Sequence, residues 1–255
     1  MIELQALLSE PILTGLMVFA RLGSAMMLLP GFGEPYVTPR SRLLLALAIS
    51  VAISPVIAPY LGPVDTTFAG LFVPLILEVV RGLFLGAAVR AVMAVLHIAG
   101  SMIAMQSGLA SASFFDPNEA TQSSLPGNFM TTVMLAFIFA TDLHHDFLRA
   151  IQVSYEVLPA TGTLITADMS QTYARTLGGS FEVALRIAGP VALIEFVLML
   201  TMGVISRLVP TFQALFVALP AQVLVGFAVM MLSLTTSILV TASWMQETLS
   251  SLVGG

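Results

Sequence analysis

The feature that most constrains the fold is an apolar run from residue 69 to residue 113. As one helix it would be roughly 68 Å long, more than twice the roughly 30 Å hydrocarbon core of a bilayer. The run must therefore form two helices, or one helix that extends well beyond lipid. Further apolar runs lie at 11–33, 43–61, 127–143, 181–210 and 212–244. The pattern predicts an all-α, polytopic membrane protein of long kinked helices and hairpins.

The composition excludes a soluble domain and several classes of function. Hydrophobic residues make up 58% and charged residues 9%, and the mean hydropathy is +1.00, whereas soluble chains carry about 25% charged residues. A net charge of −5 without a basic patch argues against nucleic acid. The absence of cysteine excludes disulfides and thiolate metal sites. The acidic start MIELQALLSE lacks the basic region of a signal peptide, so the first apolar run is predicted to be retained as a helix.

The connections between apolar runs are short, except for the polar stretch 144–180. No low-complexity tract or appended soluble domain is apparent, so residues 1–255 are predicted to form a single helical unit. Pro220 interrupts the last run and predicts a kink or break there. The two final runs meet at residues 209–211, which predicts a helical hairpin over 181–244.

Charged and titratable residues lie inside the apolar runs, where an ionised side chain at mid-membrane costs roughly 2.5–3.5 kcal/mol. Two pairs have helical spacing: Glu78 with Arg81, and Glu182 with Arg186. They indicate a proton relay, structural pairs between helices, or a chain surrounded by other protein rather than by lipid. We expect Glu78 and Arg81 to hold helices together, so that exchanging their charges partly restores what either single change loses. The residues are Arg21, Glu78, Arg81, Arg90, His97, Glu182, Arg186, Glu195 and Arg207.

Small residues accompany these charges. Gly82 and Gly86 form a GxxxG motif, which permits close approach of helices. The motif supports the interpretation that the charged residues lie at contacts between helices.

No catalytic or metal-binding motif is evident. His144, His145 and Asp146 are the one cluster that resembles an acid/base or metal site. Adjacent histidines on a helix point about 100° apart, so we expect the two rings to diverge and predict no metal site. The chain contains neither a GxSxG motif nor a glycine-rich phosphate loop. The sequence therefore predicts neither an enzyme nor a cofactor.

The stretch 99–118, AGSMIAMQSGLASASFFDPN, changes from a small-residue apolar helix to a polar loop. At membrane depth, irregular backbone is tolerated only inside protein or along a water-filled path. This segment is therefore a candidate to line or block a conduit.

An ordered set of residues from 21 to 226 resembles the FliR family, the flagellar member of the type III export gate, which is related to the SctT family of injectisomes. The strongest block is Ala99-Gly100 followed by Gly108 through Pro117. The other matching positions are Arg21, Pro30, Gly31, Gly33, Pro39, Arg42, Glu78, Gly82, Gly86, His144, Ser154, Tyr155, Pro159, Leu185, Arg186, Pro190, Arg207, Pro210, Phe216, Pro220 and Gly226.

The resemblance implies an inner-membrane subunit of the flagellar basal body, raised partly above the bilayer. It implies assembly with FliP and FliQ and contact with FlhB, to pass unfolded flagellar proteins without catalysing bond chemistry. The hairpin 181–244 would correspond to a FliQ hairpin. A family loop that helps close the pore corresponds to the segment around 108–127. Its candidate gating residues are Gly108, Phe114, Phe115, Asp116 and Pro117.

Two alternatives remain at this point. The chain could serve an injectisome rather than a flagellum. It could also be a self-sufficient secondary transporter that couples through Glu78, His97 and Glu195, although no inverted repeat is visible. Co-purification with FliP and FliQ would separate an export-gate subunit from a transporter.

Overall fold

The computed structural model describes residues 10–62, 68–108, 124–160, 166–209 and 214–253. These ranges hold helices and turns and no strand. The helices are α1 (Glu10–Met26), α2 (Pro39–Leu61), α3 (Phe68–Gln106), α4 (Leu125–Ala140), α5 (Leu143–Val157), α6 (Thr166–Leu208) and α7 (Ala214–Val253).

Of the two alternatives for the long apolar run, the described part favours one helix, because Phe68–Gln106 is continuous. Helix α3 has 39 residues and is roughly 58 Å long at 1.5 Å per residue. Pro74 lies inside it without ending it, although a proline beyond the first turn removes one intrahelical hydrogen bond. The second alternative, one helix far longer than the bilayer core, is the one observed.

Two other expectations need correction. The polar stretch 144–180 is not a plain connection, because it contains α5 and the first turns of α6. The stretch is too polar to appear as an apolar run, but polar residues can still form helix. Pro220 does not break α7, which continues on both sides of it, while the alternative of a kink at Pro220 stays a prediction. Of the predicted hairpin turn at 209–211, residues 210 and 211 lie outside the described residues.

Four of the described helices are long and apolar enough to cross a membrane, which confirms the all-α, polytopic class. They are Pro39–Leu61, Gly70–Gln106, Met169–Leu208 and Ala218–Leu252. Helix α2 begins sharply: Thr38 caps it by accepting from the Ser41 amide at 3.2 Å, and Pro39 occupies its first turn. Helices α1 and α4 are apolar but shorter.

The chain divides into two compact units. The first comprises residues Met1–Val92, Ile138–Thr176 and Met245–Gly255. In this unit α1 packs along α2, and α2 also contacts α5. Its core includes Met17 and Leu22 of α1 and Phe147 of α5.

The second unit comprises Met93–Phe137 and Leu177–Trp244. It contains the C-terminal part of α3 and most of α4, α6 and α7. Met130 and Met134 of α4, Val191 of α6 and Met230 of α7 are buried in it. The assignment of residues 1–255 to a single helical unit stays a prediction.

Candidate functional sites: a buried ion network and the base of segment 109–123

The most completely buried charges of the first unit are joined in one cluster, which we call the ion network: Arg21, Glu78 and Arg81. Arg21 donates two hydrogen bonds to the Glu78 carboxylate from one edge of its guanidinium, Nε to Oε2 at 2.6 Å and Nη2 to Oε1 at 2.8 Å. Both side chains are 0% exposed. Such forked pairing is the strongest arrangement for a buried carboxylate. It links α1 to α3.

Arg81 completes the cluster from one turn further along α3. Its Nη1 donates to Glu78 Oε1 at 2.8 Å, and its side chain is 1% exposed. The structure thus brings together the two residues whose i, i+3 spacing suggested a pair. Two arginines facing one carboxylate leave an excess of positive charge in a buried place.

Backbone carbonyls at the end of α5 and just after it partly compensate this positive charge. Arg21 donates to the Leu158 carbonyl at 2.7 Å, and Arg81 donates to the Ala160 carbonyl at 3.3 Å. Carbonyls at the C-terminal end of a helix carry partial negative charge. Leu158 is the C-cap of α5 and Ala160 follows two residues later, so the ion network fastens the end of α5 and the residues directly after it to α1 and α3.

Two α5 side chains fix Arg21 from a further side. Ser154 accepts from Arg21 Nη1 at 3.0 Å, and the guanidinium carbon lies 3.7 Å from the centre of the Tyr155 ring. Burial raises the pKa of the Tyr155 phenol well above its usual range, and the nearby arginines only partly oppose this. Tyr155 therefore stays protonated and serves as a neutral ring under the cation.

Gly82 and Gly86 allow the close approach that this geometry needs. A Cβ on Gly82 would overlap the Arg21 carbonyl and the Ser24 hydroxyl, and one on Gly86 would lie 2.7 Å from the Ala25 carbonyl. Both contacts are with α1. Without side chains at these positions, α1 comes near enough for Arg21 to reach Glu78.

The second predicted pair has very different surroundings. Glu182 and Arg186 of α6 are joined at 2.6 Å, with 65% and 71% of their side chains exposed. This pair lies in the second unit, and the two side chains belong to the same helix. It therefore links no helices within the described residues.

In the second unit, the described ends of segment 109–123 are held by small residues, which we call the loop base: Gly100, Ser101, Gly108, Ser124 and Gly127. Gly100 and Gly127 touch backbone to backbone, so a Cβ on Gly100 would overlap Gly127. The Ser101 and Ser124 hydroxyls lie 3.3 Å apart. The start of α4 is thereby fixed against α3.

Gly108 ends α3 with a φ of 71°, the left-handed conformation that glycine commonly supplies after a helix. Beside it lie the Leu219 and Gln222 side chains of α7. The other four candidate gating residues, Phe114, Phe115, Asp116 and Pro117, lie outside the described residues.

Glu195 is a buried acid near the loop base, and the sequence did not predict which residues surround it. Glu195 is 4% exposed, and neither carboxylate oxygen has a hydrogen-bond partner among the described residues. Its Oε1 would lie 2.9 Å from a Cβ on Gly226, which in turn would be 2.7 Å from the Ser107 Cβ. Of the other two transporter candidates, His97 is exposed and Glu78 is held by both arginines of the ion network.

Sequence spacing also missed Arg21 as a partner of Glu78, because their separation of 57 positions carries no helical periodicity. One signal could have nominated it: Arg21 is the only charge inside the run 11–33 and therefore requires a partner. Contacts with the Leu158 and Ala160 carbonyls had no sequence signal, since every residue carries such a group.

The expectation that the adjacent histidines diverge is wrong. The His144 and His145 ring centres lie 4.2 Å apart. Ligand atoms of Asp142, His144 and His145 all lie within 4.8 Å of one another. Asp146, named from the sequence, instead lies 3.9 Å from Arg149.

Four long apolar helices and buried charges that join α1 to α3 define a multi-pass helical membrane protein. Residues 12–248 match the family described as "Bacterial export proteins, family 1". The chain therefore belongs to this export family, and specifically to its FliR members, as individual relatives show.

A protein of Caulobacter vibrioides named "Flagellar biosynthetic protein FliR" is 34% identical over 219 residues, covering 86% of this chain and 87% of the relative. The protein of the same name from Bacillus subtilis is 28% identical, covering 69% of each chain. That from Aquifex aeolicus is 27% identical, covering 88% and 86%. These relatives indicate a component of the flagellar export apparatus.

Proposed function

We propose that this chain is a subunit of the flagellar protein-export gate and forms part of the channel for unfolded flagellar proteins. In this proposal, residues 108–127 form a plug that helps to close the channel. The partners are FliP, FliQ and FlhB, and the site of action is the bacterial inner membrane. Family membership supports the assignment to the export apparatus, and the geometry of the loop base supports the plug.

The observation that most supports the proposed plug is the contact between Gly100 and Gly127. The chain leaves α3 at Gly108 and comes back to α3 at Gly127, two turns before the point of departure. The two described ends of segment 109–123 are thus anchored to the same helix. Surface loops whose ends lie close together are frequently functional.

Exposed apolar side chains support insertion among partner helices and lipid. On α6, Leu193, Phe196 and Leu200 are each more than half exposed, while Glu182 and Arg186 are exposed on the same helix. An ion pair on an otherwise apolar surface is costly in lipid and tolerable against protein. Part of α6 is therefore expected to face another gate subunit.

The plug is tested by replacing residues 110–116 with a Gly-Ser segment of equal length. The replacement keeps chain length and removes the bulk of Phe114 and Phe115. We expect normal co-purification with FliP and FliQ and increased leakage of ions through the reconstituted gate. A matched control, Phe129→Ala on the exposed side of α4, should not leak. A tightly closed gate after the replacement would show that the segment is no plug.

The transporter alternative draws on one observation, the buried carboxyl of Glu195, which has no hydrogen-bond partner among the described residues. The two proposals differ in whether the chain is active alone or only together with partner proteins. A transporter would move a small solute as a single purified chain, whereas an export-gate subunit requires FliP and FliQ. For the injectisome alternative, the reported relatives are all named as flagellar, which favours the flagellar assignment.

A further inference from the structure

The turn between α4 and α5 holds a carboxylate with no evident structural task. Asp142 precedes α5 and has a φ of 59°, the only positive φ of a non-glycine among the described residues. Aspartate is a preferred N-cap because its side chain can accept from free amides of the first turn. Here the Asp142 side chain makes no capping bond and is 75% exposed.

Two imidazoles stand beside this carboxylate. His145 Nδ1 lies 3.8 Å from Asp142 Oδ1. The His144 ring packs against Phe139 at 5.0 Å between ring centres, and its Nδ1 is shielded from solvent and has no hydrogen-bond partner among the described residues. A shielded ring nitrogen without a partner costs free energy unless something binds it.

The chemistry and spacing of these groups fit a metal ion. Two imidazoles and one carboxylate are borderline ligands that suit Zn²⁺ and similar ions. Ligand atoms on one tetrahedral zinc are roughly 3.4 Å apart, while the three side chains place theirs within 4.8 Å. The exposed Asp142 and His145 can close this difference by small rotations.

We propose that Asp142, His144 and His145 bind one divalent transition-metal ion, with Zn²⁺ as the representative ion. The three residues supply a carboxylate oxygen and a nitrogen from each ring, and water completes the coordination. The packing of His144 on Phe139, and of Phe139 on Phe32 at 5.9 Å, orients one ligand in advance. The ion would tie the N-cap residue of α5 to the first turn of that helix.

The site would also use the left-handed conformation of Asp142. That conformation costs a non-glycine residue free energy, although aspartate adopts it more readily than most. It turns the chain between α4 and α5 and leaves the carboxylate beside the two rings. In this proposal the Asp142 side chain serves as a metal ligand rather than as a helix cap.

The test is isothermal titration of the tag-free, detergent-purified chain with ZnCl₂. We expect one saturable site per chain and a rise in melting temperature on adding zinc. Asp142→Asn, His144→Ala and His145→Ala should each weaken binding at least about tenfold, since each removes a ligand. Because Asp142 and His145 are mainly exposed, their variants should melt near the parent temperature without zinc.

His97→Ala provides the matched control, because His97 is the third histidine and lies outside the cluster. It should bind zinc as the parent does. Equal binding by the parent and all three cluster variants would overturn the site and leave only adventitious surface binding. The absence of saturable zinc binding by the parent would overturn it as well. Neither result bears on the proposed plug, which is measured by leakage.

Discussion

Two ion pairs in this chain have nearly the same sequence signature and opposite surroundings. Glu78 and Arg81 are three residues apart and buried, whereas Glu182 and Arg186 are four apart and mainly exposed. Their N–O distances, 2.8 and 2.6 Å, hardly differ. Spacing along a helix therefore predicts the contact, while burial and the additional partners determine what the contact contributes.

The difference lies in what remains when one partner is removed. In the ion network, loss of Glu78 leaves two buried arginines without a counter-charge, and loss of Arg21 breaks the forked pair and leaves Glu78 with Arg81 alone. Breaking a buried pair by removing one partner typically costs about 3–5 kcal/mol. At the exposed pair, the remaining group turns to water, ions or another protein. An exposed i, i+4 pair contributes about 0.3–0.5 kcal/mol in water.

The largest effect is expected for Arg21→Ala. It removes both bonds to the Glu78 carboxylate and the contact with the Leu158 carbonyl, so stability should fall by about 3–5 kcal/mol. Arg186→Ala is the matched control, an arginine removed from an exposed pair. Unfolding in a titration with denaturing detergent measures both. Equal losses in the two variants would remove the distinction between the pairs.

The exchange Glu78→Arg with Arg81→Glu is expected to fail, contrary to what spacing alone suggests. It would restore the pair within α3 but place two arginines, at positions 21 and 78, against each other. The double variant should be as unstable as Glu78→Arg alone, by about 3–5 kcal/mol. Adding Arg21→Glu should recover part of the loss. Recovery without the change at position 21 would show that Arg21 is not a partner.

Gly82→Ala should destabilise the first unit by about 1–3 kcal/mol, since the added methyl must displace α1. Gly15→Ala on α1 is the control, because its Cβ would meet nothing within 4 Å. That control should be neutral or slightly stabilising, as alanine favours helix. A neutral Gly82→Ala, seen in the same unfolding measurement, would mean that α1 and α3 do not approach closely.

The smallest effect belongs to the exposed pair. A double-mutant cycle with Glu182→Gln and Arg186→Met should give a coupling of about 0.3–0.5 kcal/mol in the isolated chain. In the assembled gate the same cycle reports whether a partner covers α6, because coverage would raise the coupling. No rise would indicate that this face of α6 stays open.

The sequence predicted the fold class well because apolar runs and internal charges have local signatures. It predicted the Glu78–Arg81 contact from helical spacing and missed Arg21, Ser154 and Tyr155, whose approach depends on how α1, α3 and α5 pack. It also treated His144 and His145 as residues of a regular helix. Both residues do lie in α5, which Asp142 precedes, but the approach of their rings depends on side-chain rotamers, which the roughly 100° offset between adjacent helix positions does not determine.

The central claim is that the ion network holds helices together and does not carry protons. The most direct test is the uncharged triple variant Arg21→Gln, Glu78→Met and Arg81→Met, assayed for export by the assembled gate. Since replacing a complete buried ion cluster with neutral residues is often neutral for stability, we predict a folded protein that assembles and exports flagellar subunits. A triple variant that folds and assembles but exports nothing would contradict the account.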